Sequence, residues 1–340
     1  MYVNVVLLFG GVSEEYEISL RSAAAVLGAM RARHTVYPIA IDREGGWYLT
    51  APDPVAVSSD GWRETAEPVL LDPVRHALLA GGRPIPADAV FPLLHGGLGE
   101  GGGVAALLSL LGLRYVGCPP TAGMLGMNKR LAKQVAERLG IRTAAYRTVT
   151  SEMCDDPALP ATLGEALGYP MFVKPASLGS SVGAFRVEEE KELMPALSAA
   201  LRLDPEVLCE EYIDGCEVEL ALLERGGELI GKTVGEIDPG APFYDYSTKY
   251  RNHLSRIFIP ARIPSSAREE ILRSGRAIFG ALGCRGLARV DFFVRGGEVI
   301  FNEINTMPGF TDISMFPRLM AASGISLGDV VDILLENSHL

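Results

Sequence analysis

Two apolar, strand-like segments near the C-terminus, residues 289–294 and 299–305, carry charged and amide side chains and are separated by Gly296 and Gly297. Successive side chains of a strand point to opposite faces, so residues two apart share one face. The pattern predicts an antiparallel hairpin with its polar side chains on one face. Because carboxylates on an apolar strand need a compensating partner, this hairpin constrains the fold and chemistry more than any other segment.

The length of the turn decides which polar side chains of the hairpin face each other. A two-residue Gly-Gly turn would pair Asp291 with Asn302 and direct Glu303 to the opposite face. A three-residue loop, residues 296–298, would pair Asp291 with Glu303 instead. The longer loop also forms three further matched pairs: Arg289 with Asn305, Val290 with Ile304, and Val294 with Ile300. We therefore predict the three-residue loop.

In this register Asp291, Glu303 and Asn305 present two carboxylates and an amide oxygen to one another. Such hard oxygen ligands suit one or two Mg²⁺ ions that also hold nucleotide phosphates. The alternative is an exposed polar face of a sheet, without a metal.

A second polar segment, residues 174–183, follows a predicted strand and contains Lys174, Ser180 and Ser181. A cation, hydroxyl groups and flexible backbone amides are the components of a phosphate-binding loop. A surface turn would explain the serines and glycines by themselves, but an unpaired lysine at a buried strand end is costly. No G-x-x-x-x-G-K-[ST] sequence occurs in the chain, which argues against a P-loop hydrolase.

A third, glycine-rich segment supports a competing hypothesis. Gly97, Gly99 and Gly102 match the G-x-G-x-x-G pattern of an NAD(P)-dependent oxidoreductase. Such a site also needs an acidic residue about 20 positions on, at the end of the next strand. The next predicted strand ends near residue 119, and no acid follows it before Glu137. The pattern therefore lacks the context that a dinucleotide site requires.

Two further residues have both a structural and a functional interpretation. Glu15, at the start of the first predicted helix, would stabilise the helix dipole by roughly 0.3–1 kcal/mol, or bind a ligand's ammonium group at the mouth of the sheet. His95 is either a satisfied loop histidine or a substrate contact. The residues alone leave both alternatives open.

The N-terminal part alternates a strand at residues 3–9, a helix at about 14–30 and a strand at 36–41. This βαβ pattern predicts a doubly wound α/β domain. Residues 121–139 predict one helix with four leucine and valine side chains on its apolar face, Leu125, Leu131, Val135 and Leu139, and with Gly140 as its C-terminal cap.

Antiparallel strands are expected after residue 212, and residues 240–252 predict a loop over a site because they lack a core-like period. The predicted domains are residues 1–118, 119–209 and 210–340.

Composition restricts the partners and the location. The chain has 31 Lys and Arg against 42 Asp and Glu, a net charge of −11 that argues against a nucleic-acid partner. Five cysteines without a C-x-x-C pair are expected to be reduced, buried thiols. The N-terminus shows no basic leader, and no apolar run reaches the roughly 18 residues of a membrane span. We expect a cytoplasmic protein without a membrane contact.

Taken together, eight motifs resemble those of the D-alanine–D-alanine ligases of the ATP-grasp superfamily. They are residues 10–20, 95–102, 127–129, 174–183, 210–212, 243–250, 289–291 and 302–311. The resemblance implies an N-terminal doubly wound domain followed by a two-lobed ATP-grasp fold. It also implies transfer of a phosphoryl group from ATP to one D-alanine, and attack of a second D-alanine's amine on the acyl phosphate, for peptidoglycan precursor synthesis.

The resemblance assigns roles to matching residues. For catalysis these are Glu15, Ser180, Tyr250, Arg289 and Gly309; for Mg²⁺, or Mn²⁺, they are Asp291, Glu303 and Asn305. For ATP they are Lys129, Lys174, Ser180, Ser181, Glu210, Tyr212, Ile213, Glu217, Phe243, Lys249 and Asn302. For the amino acids they are Glu15, His95, Arg289, Gly309, Ser314 and Met315.

Within this family, Tyr250 and Met315 resemble members that form a dipeptide with an apolar second substrate. D-serine or D-lactate as the second substrate is the alternative, and a catalytically silent nucleotide-binding protein is another. Three departures from the family pattern, Tyr16, Gly101 and Asn128, replace no predicted metal ligand or phosphate lysine. A homodimer is expected, as is usual in the family.

Overall fold

The computed structural model describes residues 2–238 and 256–340, and within these ranges the strands form three sheets. The first sheet has the order β6-β5-β4-β3-β2-β1-β7. Its strands are β1 (Asn4–Gly10), β2 (Thr35–Ile41), β3 (Trp47–Leu49), β4 (Glu67–Asp72), β5 (Ala77–Ala80), β6 (Arg83–Pro84) and β7 (Ala89–Pro92). β1 is parallel to β2 and β7, which confirms the βαβ prediction, and β3 to β6 extend the sheet as antiparallel strands.

The other two sheets are antiparallel, and the six-stranded sheet confirms the antiparallel strands predicted after residue 212. The four-stranded sheet has the order β10-β9-β11-β8, and the six-stranded sheet has the order β15-β14-β12-β16-β17 with β13 beside β12. Their strands are β8 (Tyr146–Val149), β9 (Met171–Pro175), β10 (Phe185–Val187), β11 (Val207–Glu211), β12 (Cys216–Arg225), β13 (Glu228–Ile230), β14 (Val234–Asp238), β15 (Arg256–Phe258), β16 (Leu287–Arg295) and β17 (Glu298–Asn305).

Helices pack against these sheets and connect them. They are α1 (Tyr16–Met30), α2 (Pro54–Val57), α3 (Gly97–Glu100), α4 (Gly103–Leu110), α5 (Pro120–Met127), α6 (Lys129–Arg138), α7 (Leu159–Leu167), α8 (Glu190–Leu201), α9 (Ser265–Ala281), α10 (Met315–Ala322) and α11 (Leu327–Glu336). Glu15 occupies the position just before α1, so the helix begins two residues later than predicted.

The prediction of one helix over residues 121–139 is wrong. Asn128 has extended backbone angles and separates α5 from α6, and its side-chain oxygen accepts the Leu131 N–H at 3.0 Å. Such an N-cap satisfies a donor that the first helical turn leaves without a backbone partner. Gly140 has φ +72°, which confirms the predicted C-terminal cap.

The predicted apolar face of this helical region is also wrong for α6. Leu139 is exposed, and Leu131 and Val135 are only partly buried. The buried residues of α6 are Lys129, Ala132, Lys133 and Ala136. Two lysines of α6 are therefore buried, because carboxylates on the sheets form ion pairs with them.

The hairpin β16–β17 has the predicted polar pairs but not the predicted turn, and the predicted pair of Val294 with Ile300 is wrong because Val294 pairs with Val299. Arg295 pairs with Glu298, so the turn is the two-residue Gly296-Gly297, with φ +59° and +91°. This is the conformation that two glycines favour in a hairpin. A register shift after Asp291 leaves Asn302 as an extra residue and restores the pairing of Asp291 with Glu303.

Two general expectations can be compared with the structure. All five cysteines are free thiols, as predicted, but Cys154 and Cys216 are only partly buried. In the described part of the chain, no helix is long and apolar enough to cross a bilayer.

Candidate active site

A cavity of about 380 Å³ lies between the four-stranded and the six-stranded sheets. The loop after β9, the ends of β11 and β12, and the β16–β17 hairpin form its walls. The predicted ATP and metal residues that line it are Lys129, Lys174, Ser180, Ser181, Glu210, Tyr212, Ile213, Glu217, Asp291, Asn302 and Glu303. Folding thus brings together side chains from five separate motifs.

One end of this cavity is apolar and flat. Phe172, Ile213 and Phe293 line it, and the Tyr212 ring lies 6.1 Å from the ring of Phe172. The guanidinium of Arg186 lies 4.6 Å from the centre of the Tyr212 ring. Aromatic and apolar walls of this kind suit the stacking of a planar ring. This end of the cavity fits a nucleotide base.

A buried group of charged side chains lies beside these apolar residues. Lys174 Nζ lies 2.7 Å from Glu210 Oε2 and 3.3 Å from Asn302 Oδ1. Glu210 Oε1 lies 3.2 Å from Lys133 Nζ. Burial alone would raise the pKa of Glu210, but the charges of Lys133 and Lys174 outweigh it and hold that pKa below its ordinary value. Two cations share one carboxylate, so this group carries a net positive charge.

The loop after β9 closes toward the N-terminal part of the chain. Ser180 and Ser181 have φ +50° and +59°, a conformation uncommon for residues with a side chain. The Ser180 hydroxyl donates a hydrogen bond to Glu15 Oε1. Lys129 Nζ donates to the Leu178 carbonyl of the same loop and lies 3.5 Å from Glu303 Oε2.

A second, smaller cavity of about 100 Å³ adjoins the first. The predicted substrate residues that line it are Glu15, His95, Arg289, Gly309, Ser314 and Met315, together with Asn305. The residues that line both cavities are Lys129, Gly179, Ser180, Ile237 and Glu303. A ligand in one cavity therefore lies beside a ligand in the other.

Three carboxylates form a row across neighbouring strands of the six-stranded sheet. Asp291 on β16 pairs with Glu219 on β12 and with Glu303 on β17. Arg289 Nε lies 3.0 Å from Glu219 Oε2, and Nε and Nη2 donate to Asp291 at 2.8 and 2.7 Å. Directly opposed like charges are destabilising. Arg289 and Lys129 neutralise two of the three negative charges. The remaining negative charge would attract a cation.

The predicted magnesium site is only partly assembled. Both carboxylate oxygens of Asp291 accept hydrogen bonds from Arg289, and the Asn305 side-chain oxygen accepts the Met307 N–H at 3.1 Å. Across residues 2–238 and 256–340, no group of three or more His, Cys, Asp or Glu side chains is arranged to hold a metal ion. The metal role of Asp291, Glu303 and Asn305 stays a prediction.

His95 is buried at the wall of the smaller cavity. Its Nδ1 lies 2.9 Å from the Met307 carbonyl oxygen, and its Nε2 lies 3.1 Å from Ser22 Oγ. Burial lowers the pKa of this imidazole, which favours the neutral ring. Its hydrogen bonds go to the protein, and a contact with substrate stays a prediction.

Glu100 is an acidic residue of the same cavity that the sequence interpretation did not select. Burial, followed by the nearby charge of Glu15, raises its pKa from 4.5 to about 7. Its Oε2 accepts the Gly96 N–H at 3.1 Å. The folded protein thus holds a proton on Glu100 that the unfolded chain loses at lower pH.

This shift predicts a pH-dependent stability. Between pH 4.5 and 7 the folded state binds more protons than the unfolded state, so the contribution of Glu100 to stability falls as pH rises. Relative to wild type, Glu100→Gln is expected to gain about 2–3 kcal/mol of unfolding free energy from pH 4.5 to 7.5. Urea titrations at several pH values would measure this difference. A difference that does not change with pH would contradict the assignment.

Sequence reasoning missed three charged residues of this region, the buried Lys133 and Glu219 and the partly buried Glu100. Lys133 was not on the predicted apolar face of its helix, and Glu100 lies in the motif 95–102 but received no role. The alternation of β12 was the available signal for Glu219, since it places a carboxylate between apolar neighbours. The predicted roles of Phe243, Lys249 and Tyr250 lie outside the described residues.

The geometry of the glycine-rich segment does not favour a dinucleotide site. A Cβ on Gly99 would lie 2.6 Å from the Leu94 side chain, and one on Gly102 would lie 2.3 Å from the Pro120 carbonyl. These glycines permit close packing of the chain against itself. Their presence is therefore explained without a bound pyrophosphate.

Comparison with known proteins agrees with this geometry. The family model described as D-ala D-ala ligase N-terminus matches residues 4–118, and the D-ala D-ala ligase C-terminus model matches residues 135–336. A D-alanine–D-alanine ligase of Chlorobium phaeovibrioides is 42% identical, with 98% of this chain and 96% of that protein covered. One from Legionella pneumophila is 39% identical, with 98% and 94% covered.

Solved structures give the same result. The structure of the VanG D-Ala:D-Ser ligase from Enterococcus faecalis has a TM-score of 0.88 and 36% identity, and the match covers 99% of both chains. The D-alanine–D-alanine ligase of Coxiella burnetii has a TM-score of 0.86 and 32% identity, with 98% of this chain and 93% of that chain covered. The fold and site define an ATP-grasp enzyme. The chain belongs to the D-alanine–D-alanine ligase family.

Proposed function

We propose that this chain joins two D-alanines into D-alanyl-D-alanine at the expense of ATP, for peptidoglycan precursor synthesis. The observation that carries the proposal is the junction of the two cavities at Lys129, Ser180 and Glu303. A phosphoryl group passes directly between the nucleotide and a carboxylate, so both ligands must be held side by side. The junction supplies that arrangement.

The larger cavity is assigned to ATP. The base and ribose occupy the end near Glu210, Tyr212, Ile213 and Glu217, where aromatic and apolar walls favour a planar ring. Two lysines attract the phosphates, and the two serines of the phosphate loop cover them. These residues are Lys129, Lys174, Ser180 and Ser181.

Asp291, Glu303 and Asn305 would hold Mg²⁺, or Mn²⁺, at the junction. Their oxygen atoms are the donors that these ions prefer, and the carboxylate row has an excess negative charge to offset. A bound ion would neutralise charge on the phosphate oxygens.

The smaller cavity is assigned to the amino acids. Glu15 binds the ammonium group of the first D-alanine, and its position is fixed by the Ser180 hydroxyl. Arg289 and the Gly309 N–H stabilise the oxyanion that forms when the second amine attacks the acyl phosphate. In our proposal Lys249 and Tyr250 exclude water from the acyl phosphate, and Phe243 contacts ATP.

Gly96 is expected to be essential for the position of Glu15. It has φ +67° and ψ 175°, a region that is open almost only to glycine, and a Cβ there would lie 2.4 Å from Glu15 Oε2. We expect Gly96→Ala to raise the KM for the first D-alanine about 10-fold, a loss of about 1.4 kcal/mol. Backbone strain is expected to lower the unfolding free energy by about 1–3 kcal/mol.

Gly82→Ala is the matched control for this variant. Gly82 also has a positive φ, +73°, but nothing lies within 4 Å of its Cβ position. It should lose stability without a change in KM. Equal KM values for Gly96→Ala and wild type would contradict the role of Glu15.

D-alanine is the second substrate that we favour over D-serine. Ser314 and Met315 line the smaller cavity, and Met315 is packed so that a Cβ on Gly235 would lie 2.6 Å from its sulfur. An apolar wall favours a methyl group. The VanG D-Ala:D-Ser ligase shares 36% of its sequence with this chain, so D-serine must be tested directly. A single hydroxyl changes binding little in an apolar pocket.

The test is a coupled assay of the purified protein with ATP, Mg²⁺ and D-alanine. Phosphate release should equal dipeptide formation, and it should require D-alanine. Competition between D-alanine and D-serine, with the products separated by mass, measures the choice of second substrate. Phosphate release without D-alanine, or a mixed D-alanyl-D-serine product in excess, would contradict the proposal.

We further infer that residues 1–118 hold the first substrate and that residues 119–209 and 210–340 are two lobes that hold ATP between them. The lobe at 210–340 also contains the metal and acceptor site in this proposal. Dimerisation in solution and a cytoplasmic location belong to the same proposal. Analytical ultracentrifugation and cell fractionation would test these two points.

A further inference from the structure

Helix α6 carries two inward-facing lysines, Lys129 and Lys133, four residues apart on the same buried face. Like charges at this spacing destabilise a helix, so each requires a partner. Lys129 reaches the wall of both cavities, whereas Lys133 is fully buried and lies outside the lining of either. Lys133 therefore has a role that direct contact with a ligand in these cavities does not explain.

The surroundings of Lys133 connect it to the nucleotide site. Its Nζ lies 3.2 Å from Glu210 Oε1, and the second oxygen of that carboxylate lies 2.7 Å from Lys174 Nζ. Lys174 also reaches Asn302 Oδ1 at 3.3 Å. The contacts form a continuous chain from α6 through β11 and β9 to the hairpin. The Tyr146 ring centre lies 5.9 Å from Lys133 Nζ and adds a weak attraction.

The net charge of these contacting side chains depends on Lys133. Burial lowers the pKa of Lys133, and the charge of Glu210 opposes this shift. With Lys133 protonated, Lys133, Glu210 and Lys174 together carry +1, whereas Glu210 and Lys174 alone would carry zero. In a poorly solvated cavity wall, one unit of charge has a large effect on a polyanion nearby. Lys174 lines the cavity, so the net positive charge lies at the part of the wall where we expect the phosphates to bind.

We propose that Lys133 is a positioning residue for the nucleotide. It lies behind the cavity wall, where its positive charge neutralises Glu210. The positive charge of Lys174 is then not cancelled by Glu210 and attracts the triphosphate. The inference rests on the assignment of the larger cavity to ATP. It predicts that Lys133 affects the affinity for the phosphates much more than the affinity for the base. A buried ion pair that served stability alone would affect unfolding without this discrimination.

The experiment compares two probes, a non-hydrolysable ATP analogue and uncharged adenosine, by calorimetry on the full-length chain. Lys133→Met should raise the Kd of the analogue at least 10-fold and change that of adenosine less than 2-fold. Lys133→Arg retains the charge and should keep the analogue Kd within about 3-fold of wild type. Lys191→Met removes an exposed lysine on α8 and is the matched control for net charge.

A double variant keeps the proposal testable where Lys133→Met does not fold. Lys133→Met/Glu210→Gln removes the unpaired buried carboxylate and restores a sum of +1. Its ratio of analogue to adenosine affinity should therefore return to within about 3-fold of the wild-type ratio. The affinities for adenosine itself need not match, since Glu210 is assigned to the base.

Three results would overturn the inference. One is a parallel loss of analogue and adenosine affinity in Lys133→Met, and the second is an unchanged analogue Kd in that variant. The third is a double variant whose affinity ratio stays reduced. Failure of the wild-type protein to bind either probe would instead overturn the nucleotide assignment itself, and the inference with it.

Discussion

Replacing Glu303 with glutamine is expected to lower kcat/KM by about 10³-fold, because a metal ligand contributes several kcal/mol of transition-state stabilisation. Glu303 faces Asp291 across the hairpin, lies 3.5 Å from Lys129 Nζ, and lines both cavities. Glutamine keeps the shape and removes the charge. The variant should lower kcat more than it raises KM, because the reacting groups meet at this residue. Steady-state phosphate release with D-alanine measures it.

Glu298→Gln provides the control on the same strand. Glu298 begins β17 and forms exposed ion pairs with Arg142 and Arg295 at the far end of the hairpin. Exposed pairs contribute little, about 0–1 kcal/mol, so this variant should turn over normally. Activity of Glu303→Gln within 3-fold of wild type would remove Glu303 from the metal site.

Replacing Arg289 with methionine is expected to lower the unfolding free energy by about 3–5 kcal/mol, because it leaves buried carboxylates without their cation. Arg289 contacts Asp291 through two hydrogen bonds and Glu219 at 3.0 Å, and both carboxylates are almost fully buried. The oxyanion role assigned to Arg289 predicts a further loss of kcat of about 10²–10³-fold. Urea unfolding and steady-state kinetics separate the two effects.

Arg262→Met is the corresponding surface control. Arg262 forms a two-oxygen pair with Glu236, but its own side chain is half exposed. The expected loss of unfolding free energy is therefore well below that of Arg289→Met. A loss below 1 kcal/mol for Arg289→Met would show that the buried carboxylates find other partners. Unchanged kcat in a folded Arg289→Met protein would exclude the oxyanion role.

For the hairpin, the sequence predicted the correct pairing of the polar residues from an incorrect turn length. A period of two and the apolar partners selected the pairing of Asp291 with Glu303, and the structure confirms it. The prediction used a three-residue loop, whereas the chain uses a two-residue turn and a bulge at Asn302. The bulge also allows Asn302 and Glu303 to line the same cavity although they are adjacent in sequence.

Helix α6 shows the opposite outcome. Apolar periodicity selected a face with Leu131, Val135 and Leu139, but the buried face contains Lys129 and Lys133. Periodicity assumes that burial follows hydrophobicity. Here buried acids on other elements, Glu210 and Glu303, supply partners for the lysines. Those partners lie far away in sequence, and a window along the chain does not contain them.

The sequence by itself determined what depends on local order: the alternation of the strands, the C-terminal cap at Gly140, and the ordered motifs that identify the family. Only the tertiary structure decided which charges meet. The row of Glu219, Asp291 and Glu303, the raised pKa of Glu100 and the buried position of Lys133 each depend on contacts between distant elements. The physical reason is that burial and electrostatic pairing are properties of the packed chain, whereas backbone period is a property of each segment.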